Sequence, residues 1–419
     1  MRTIVLTGGG TAGHVTPHVA LLPHLRQSFS KIHYIGGKSP TERAIIEREG
    51  VPFSQLECVK YHRGCSMRDI LHNILIPWGY LRSVKRAKAI LCDLRPDVVF
   101  SKGGFVALPV VRAARGLGIP VVAHESDASM GLANKLSVGA CKKICTTFAG
   151  ACGGKKAVHT GSPIRPQIYR GKAEVVARRH GVKNPPARCA TPFEKGGRIG
   201  NEEREDAGVA RRNLLVTGGS LGAGRINAAV RENLAELTRN WNIIHICGRG
   251  KTADMGKVGG AGGAMREAGA QILGRYVQVE FVDDIENYYA WADVVVARAG
   301  SNMLCELLAI GKPTLFVPLA TGRGDQIQNV RYVREANAGG VLFEKEFAGG
   351  KKGAGRGDTG VFVNAVEEVW NMRGVYAKNA PKVVKDGTKE IYNTIYGVVC
   401  EAYNTNLLRQ STFCPQGVR

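Results

Sequence analysis

Two glycine-rich turns carry the first sign of chemistry. Gly8-x-Gly10-x-x-Gly13 follows the apolar run Thr3-Ile4-Val5-Leu6, and Gly218-Gly219-Ser220-Leu221-Gly222 follows Asn213-Leu214-Leu215-Val216. Turns without side chains let backbone N–H groups approach an anion at the start of the next helix, where the macrodipole adds about half a positive charge. Phosphate binding is the chemistry that both turns share. The first also spells a dinucleotide fingerprint, but that site wants an acid about 20 residues further on to hold a ribose. The second strand run ends instead in Ile35-Gly36-Gly37-Lys38, so a nicotinamide cofactor is not expected. The second turn matches the G-x-S-x-G of serine hydrolases, which need an acid and then a histidine downstream. Only His245 follows it, inside an apolar run, so Ser220 reads as a phosphate donor and not as a nucleophile.

His14 and His18 have a metal-ligand spacing, but no glutamate lies between them as in H-E-x-x-H, and no metal site is expected. His14 also stands where the glycine turn becomes helix, at the sheet edge where ligands of open α/β folds bind. A neutral imidazole there could take a proton from a hydroxyl near pH 7. The plain alternative is a helix-start histidine bonded to backbone.

The elements that must position these residues are legible as strand-length apolar runs alternating with helical stretches. In the first half these are Thr3 to Leu6, then Ile32 to Ile35, Val98 to Phe100, Val121 to Ala123 and Ile144 to Thr146. In the second they are Asn213 to Val216, Ile243 to Ile246, Val277 to Phe281, Val294 to Val296 and Thr314 to Val317. Such alternation describes two parallel sheets covered on both faces, one in each half. Lys183 to Arg212 and Gly349 to Gly357 lack periodicity and read as flexible surface insertions.

Composition bounds the function. The chain has 419 residues, 44% of them hydrophobic, and a net charge of +23. No run approaches the 20 or so apolar residues of a membrane span, and the N-terminus has no signal-peptide core, so the chain is expected to begin in the cytosol. The 11 cysteines are scattered without C-x-x-C spacing and read as reduced thiols. The charge calls for an anionic partner, but basic residues are not interleaved with aromatics as nucleic-acid binding would want. Asp69 to Leu81, with Ile74, Leu75, Trp78 and Tyr80, is apolar and is followed by Arg82, Lys85, Arg86 and Lys88. An apolar stretch with a basic flank suits an anionic membrane surface.

In their joint order the motifs resemble the MurG family of peptidoglycan glycosyltransferases, from about residue 2 to 400. The resemblance rests on Thr7 to Pro17, Ser101-Lys102-Gly103-Gly104-Phe105-Val106, His124-Glu125-Ser126-Asp127 with Gly131 to Lys135, and Thr160 to Arg165. In the second half it rests on Gly218 to Ala223, Arg298 to Glu306 and Gly324 to Asn329. It implies an α/β fold of the GT-B type, two Rossmann-like domains whose parallel sheets face a central cleft. The implied layout is an acceptor and membrane-associating domain over 1–160, a linker and insertion over 161–212, and a UDP-sugar domain over 213–380. A helix over 381–405 crosses back to the first domain, and 406–419 is a tail.

The activity implied is inverting transfer of N-acetylglucosamine from UDP-N-acetylglucosamine to the C4 hydroxyl of the muramoyl sugar of lipid I, making lipid II. No cofactor, metal or nucleic acid is implied, and the location is the cytoplasmic side of the cell membrane, peripherally bound. Another GT-B enzyme, a UDP-sugar epimerase or a diacylglycerol glycosyltransferase, is the alternative, which the acceptor-loop blocks oppose. The family's donor contacts fall on Arg165, Ser220, Val282, Ser301, Asn302, Met303, Leu304, Glu306, Gln326 and Asn329. Thr11, Ala12, Gly13 and Asp127 count with them, although the first turn also faces the acceptor diphosphate. Gly10, Glu125 and Asn134 are expected to line the acceptor cleft, with His14 the candidate general base. Ala12 and Asp127 stand where many members have Gly and Asn.

Overall fold

The structure, a computed structural model, describes residues 2–9, 12–58, 76–182, 211–219, 222–253, 274–320, 324–347 and 359–411. Gly10, Thr11, Ile74, Leu75, Ser220, residues 183–210 of the first insertion and all of 349–357 lie outside them.

The chain divides into two units, residues 1–165 with 385–419, and residues 166–384. The first holds strands β1 (Thr3–Thr7), β2 (Lys31–Gly36), β3 (Phe53–Gln55), β4 (Val98–Ser101), β5 (Val121–Glu125), β6 (Lys143–Thr146) and β7 (Ala157–His159). They form one sheet in the order β3-β2-β1-β4-β5-β6-β7, every neighbouring pair parallel. The second unit holds β8 (Arg212–Thr217), β9 (Trp241–Ile246), β10 (Tyr276–Val279), β11 (Val294–Ala297), β12 (Thr314–Phe316) and β13 (Gly340–Val341). Their order is β10-β9-β8-β11-β12-β13, again all parallel.

β1 is buried along its whole length because both faces of its sheet are covered. Alternation sends Ile4 and Leu6 into one core with Val15, Leu21 and Leu25 of the helix Ala12–Ser28. Val5 enters the opposite core with Ala87 and Leu91 of the helix Ile76–Leu94 and Val110 and Ala114 of the helix Ala107–Gly116. The helix Thr388–Ser411 completes the first core: Ile391, Ile395, Val398 and Val399 form one apolar stripe buried against Ile4 and Leu6. Arg2 Nη1 donates to the Tyr396 hydroxyl (2.7 Å), and the Tyr403 hydroxyl donates to Asp97 Oδ1 (2.6 Å), fixing this helix along its length. Where the chain leaves and re-enters the unit, Ser162 forms a parallel bridge with Asp386 and the Ile164 amide donates to Thr388 Oγ1 (3.2 Å). In the second unit Leu214, Val216, Val294 and Val296 pack with Trp241 and with Phe362, Val366 and Val369 of the helix Thr359–Asn371.

In each sheet the strand order reverses beside the first strand, between β1 and β4 and between β8 and β11. Open α/β sheets bind ligands outside the carboxyl ends of the strands at such a reversal. β1 and β4 end there in the first glycine turn and in Lys102-Gly103-Gly104. β8 and β11 end in Gly218 to Gly222 and in Arg298-Ala299-Gly300. Among the described residues no helix is long and apolar enough to cross a membrane.

Candidate active site

At the first reversal the glycine turns from β1 and β4 lie against one another. Gly104 has φ +83°, and a Cβ on it would stand 2.5 Å from the Gly9 carbonyl, so any side chain there pushes the two turns apart. His14 lies in the first turn of the helix that follows, half-buried. His18, one turn on, is wholly buried edge-on to Tyr34 and Phe100. Burial and then the charge of Lys102 hold it well below the usual histidine range, so it packs as a neutral ring. Among the described residues no three His, Cys, Asp or Glu side chains gather as metal ligands would.

Lys102, 4% exposed, donates from Nζ to His124 Nδ1 (2.5 Å) and to Ser126 Oγ (2.5 Å). The other ring nitrogen of His124, Nε2, faces the Gly161 carbonyl at 3.0 Å, which only accepts, so the ring carries its proton on Nε2 and accepts the lysine at Nδ1. Burial and then Lys102 keep His124 neutral, in agreement with that tautomer. At the end of β5 the Glu125 carboxylate accepts from the Asp127 amide (3.1 Å), the Gly131 amide (2.8 Å) and Asn134 Nδ2 (2.8 Å). Burial raises its pKa against those donors. Glu125 and Asn134 are both buried and hold the 126–131 loop in shape, with Asp127 half-buried on that loop.

In the second unit Gly222 has φ +66°, and a Cβ would stand 2.0 Å from the Cys247 carbonyl. A hydrogen-bond chain backs this turn. The Tyr276 hydroxyl donates to His245 Nδ1 (2.8 Å), His245 Nε2 donates to Asn227 Oδ1 (2.9 Å), and Asn227 Nδ2 donates to the Cys247 carbonyl (2.9 Å). Burial and then Arg231 bring the His245 pKa down to about 3, so its ring is neutral and joins the chain with one donor and one acceptor. The helix Ser301–Ala309 leaves β11 with Ser301, Asn302 and Met303 half-buried at its start, Leu304 buried, and Glu306 6% exposed. On the helix Asp325–Glu335, Asn329 is wholly buried and donates from Nδ2 to the Ala299 carbonyl (3.1 Å), while Gln326 Oε1 accepts from the Leu319 amide (2.9 Å). Residues 301–306 and 329 thus meet at the end of β11.

Val282 is half-buried in the loop after β10, and Arg165 is half-buried where the chain leaves the first unit. Gly13 is exposed, and Ala12 begins the first helix. Trp78 and Leu81 are exposed and Tyr80 half-buried at the start of the helix Ile76–Leu94. Sequence reasoning missed two supports. A buried acid does stand at the end of β2, Glu42 from the helix Pro40–Arg48, but it is turned onto protein groups and does not face a ribose. Glu42 is wholly buried, its Oε2 accepts from the Gly37 amide (3.2 Å), and the Tyr34 hydroxyl bridges its Oε1 (2.9 Å) and the Gly8 carbonyl (3.0 Å). Lys102 was visible only as a charge inside an apolar-glycine block, with nothing in the sequence to pair it with His124.

Residues 4–146 match the glycosyltransferase family 28 N-terminal domain and residues 213–351 the family 28 C-terminal domain. A solved structure, MurG of Acinetobacter baumannii, superposes with a TM-score of 0.65 at 22% identity, covering 95% of this chain and 100% of that one. The fold is therefore GT-B, two Rossmann-like domains in one chain, and the protein is a glycosyltransferase. A UDP-N-acetylglucosamine--N-acetylmuramyl-(pentapeptide) pyrophosphoryl-undecaprenol N-acetylglucosamine transferase of Clostridium botulinum strain Alaska E43 is 39% identical over 351 residues, 82% of this chain and 86% of that protein. The transferase of the same name from strain Loch Maree is 36% identical over 402 residues, 94% of this chain and 99% of that protein. The chain belongs to glycosyltransferase family 28, with these transferases among its members.

Proposed function

We propose that the protein transfers N-acetylglucosamine from UDP-N-acetylglucosamine to the C4 hydroxyl of the muramoyl sugar of lipid I, with inversion, giving lipid II for peptidoglycan synthesis. The observation that carries this reading is the likeness to transferases of that name, which runs through both domains and both glycine turns.

Inversion is a single displacement, so the acceptor hydroxyl must lose a proton and the leaving diphosphate must be stabilised, without a covalent enzyme intermediate. His14, half-buried in the first turn of its helix, is the group to take the proton. The helices Ala12–Ser28, Gly224–Glu232 and Ser301–Ala309 each begin without an acid in the first turn, which leaves their N-terminal dipoles available to phosphate oxygens. The first faces the acceptor diphosphate, and the other two the UDP diphosphate. Glu306 takes the ribose hydroxyls, since a carboxylate accepts two hydrogen bonds, and Gln326 takes the sugar hydroxyls, while the wholly buried Asn329 braces the turn after β11 through the Ala299 carbonyl. Trp78 and Leu81, followed by Arg82, Lys85, Arg86 and Lys88, rest on the anionic cytoplasmic face of the membrane where the lipid acceptor is held.

The test is transfer of labelled N-acetylglucosamine to a short-chain lipid I analogue by wild type, Glu306→Ala and His14→Ala. The reading expects wild-type transfer, weakened UDP binding in Glu306→Ala and normal UDP binding with lost turnover in His14→Ala. Wild-type UDP binding by Glu306→Ala removes that residue from the donor site.

A further inference from the structure

Four of the seven exposed large apolar side chains among the described residues lie on two helices of the first unit. Trp78 (76% exposed) and Leu81 (60%) start one of them. Leu132 (58%) and Leu136 (62%) lie on the short helix Leu132–Ser137, one turn apart on a single face. Single exposed leucines are ordinary, but repeated pairs at helical spacing mark a contact surface. Both helices pack on the helix Ala107–Gly116, and Arg112 of that helix lies close enough to Tyr80 for its charge to act on the phenol.

The charge around them has one sign. No Asp or Glu occurs from Ile70 to Cys92, from Val98 to His124, or from Ala128 to Ala173, whereas Arg82, Lys85, Arg86, Arg112, Arg115, Lys135 and Lys142 do. All seven are exposed. Apolar tips among cations fit an anionic lipid surface, where the leucines enter the headgroup boundary and the cations meet the lipid charge. Nucleic acid would match the charge and leave the leucines in water, and an acidic protein would need an apolar surface of its own at both helices.

We infer that the helix Leu132–Ser137 is a second point of attachment to an anionic bilayer, separate from Trp78 and Leu81; this rests on the membrane-surface reading above. The opposite face of the helix gives the attachment a consequence. Asn134 points inward and donates to Glu125 Oε2, and the Gly131 amide that opens the helix donates to the same oxygen. Seating the leucines in lipid therefore steadies the loop 126–131, which carries Asp127.

The experiment measures partition of the purified chain onto phosphatidylglycerol–phosphatidylcholine vesicles. It compares wild type, Leu132→Ser/Leu136→Ser and Trp78→Ser/Leu81→Ser, with turnover on a water-soluble short-chain acceptor as the check on folding. The leucine pair variant should lose about tenfold or more in partition, as two partly buried leucines warrant, and keep its turnover on the soluble acceptor. A second arm compares Leu136→Trp in a Trp78→Phe background with Trp78→Phe alone, which keeps Trp241, Trp291 and Trp370; brominated lipid should quench an additional fraction of the emission where tryptophan replaces Leu136. Partition of the leucine variant like wild type, with loss in the Trp78/Leu81 variant, overturns the second attachment and leaves the membrane reading standing. Undiminished partition in both variants overturns the membrane reading as well. If the leucine variant also loses soluble turnover, the emission arm decides, and quenching of Leu136→Trp no greater than that of Trp78→Phe alone overturns the proposal.

Discussion

His14 lies in the first turn of a helix whose side chains differ sharply in setting: His14 is half-buried, while His18 is sealed between Tyr34 and Phe100. Of the two, only His14 reaches solvent. His14→Ala should lower kcat by about 10²- to 10⁴-fold, the usual range for a positioned base, while UDP-N-acetylglucosamine binding by calorimetry stays unchanged. A near-normal kcat would remove His14 from the chemistry. Gly222→Ala tests the second turn. With φ +66° and the Cys247 carbonyl 2.0 Å from the added carbon, the turn must shift, at a cost of about 1–3 kcal/mol for the backbone alone. A lower melting temperature and weaker UDP binding are expected, and wild-type values would show that the turn is looser than its geometry. The glycine turns after β1 and β8 and the helix starts that follow them were legible in sequence, whereas Glu306 was reached only through the family resemblance. Lys102, Tyr34 and Glu42 were not legible, because their roles come from burial and from partners on other strands.

The helix Thr388–Ser411 shows what an element far away in sequence contributes. Ile395 is wholly buried against the core built on β1. Ile395→Ala should cost about 2–5 kcal/mol, read as a drop in the denaturation midpoint. An unchanged midpoint would mean that the helix detaches without loss. The central strands of both sheets could be read as apolar runs because helices cover both of their faces. β3, β7 and β13 could not. They are edge strands of three, three and two residues, half-buried or exposed, and their pairing is set by the neighbouring strand and not by an apolar pattern of their own. The acid at the end of β2 was missed for a related reason: Glu42 reaches that strand end from the following helix, so spacing along the chain does not reveal it.

Over the whole molecule, three buried histidines set a common response to acid. His18, His124 and His245 are neutral in the folded state, their pKa values lowered chiefly by burial. Once unfolded each returns toward its ordinary value of 6.5, so below that pH the unfolded chain binds more protons than the folded one. Their contribution to stability is complete above about pH 6.5 and is lost as pH falls below it, at up to about 1.4 kcal/mol per pH unit for each group. For His245 that window runs down to about 3. Urea midpoints measured from pH 7.5 to pH 5 should fall steadily, and a flat profile would contradict the neutral assignments.

Transfer to a lipid-linked muramoyl sugar makes product formation depend on the acceptor. Purified enzyme is incubated with UDP-N-acetylglucosamine, with and without a short-chain lipid I analogue, and both nucleotide and sugar products are identified by NMR. UDP and a β-1,4-linked disaccharide are expected in equal amounts when the acceptor is present, and unaltered donor when it is absent. A 2-epimer of the donor sugar formed without acceptor, or no disaccharide from an enzyme that still binds UDP-N-acetylglucosamine, would contradict it.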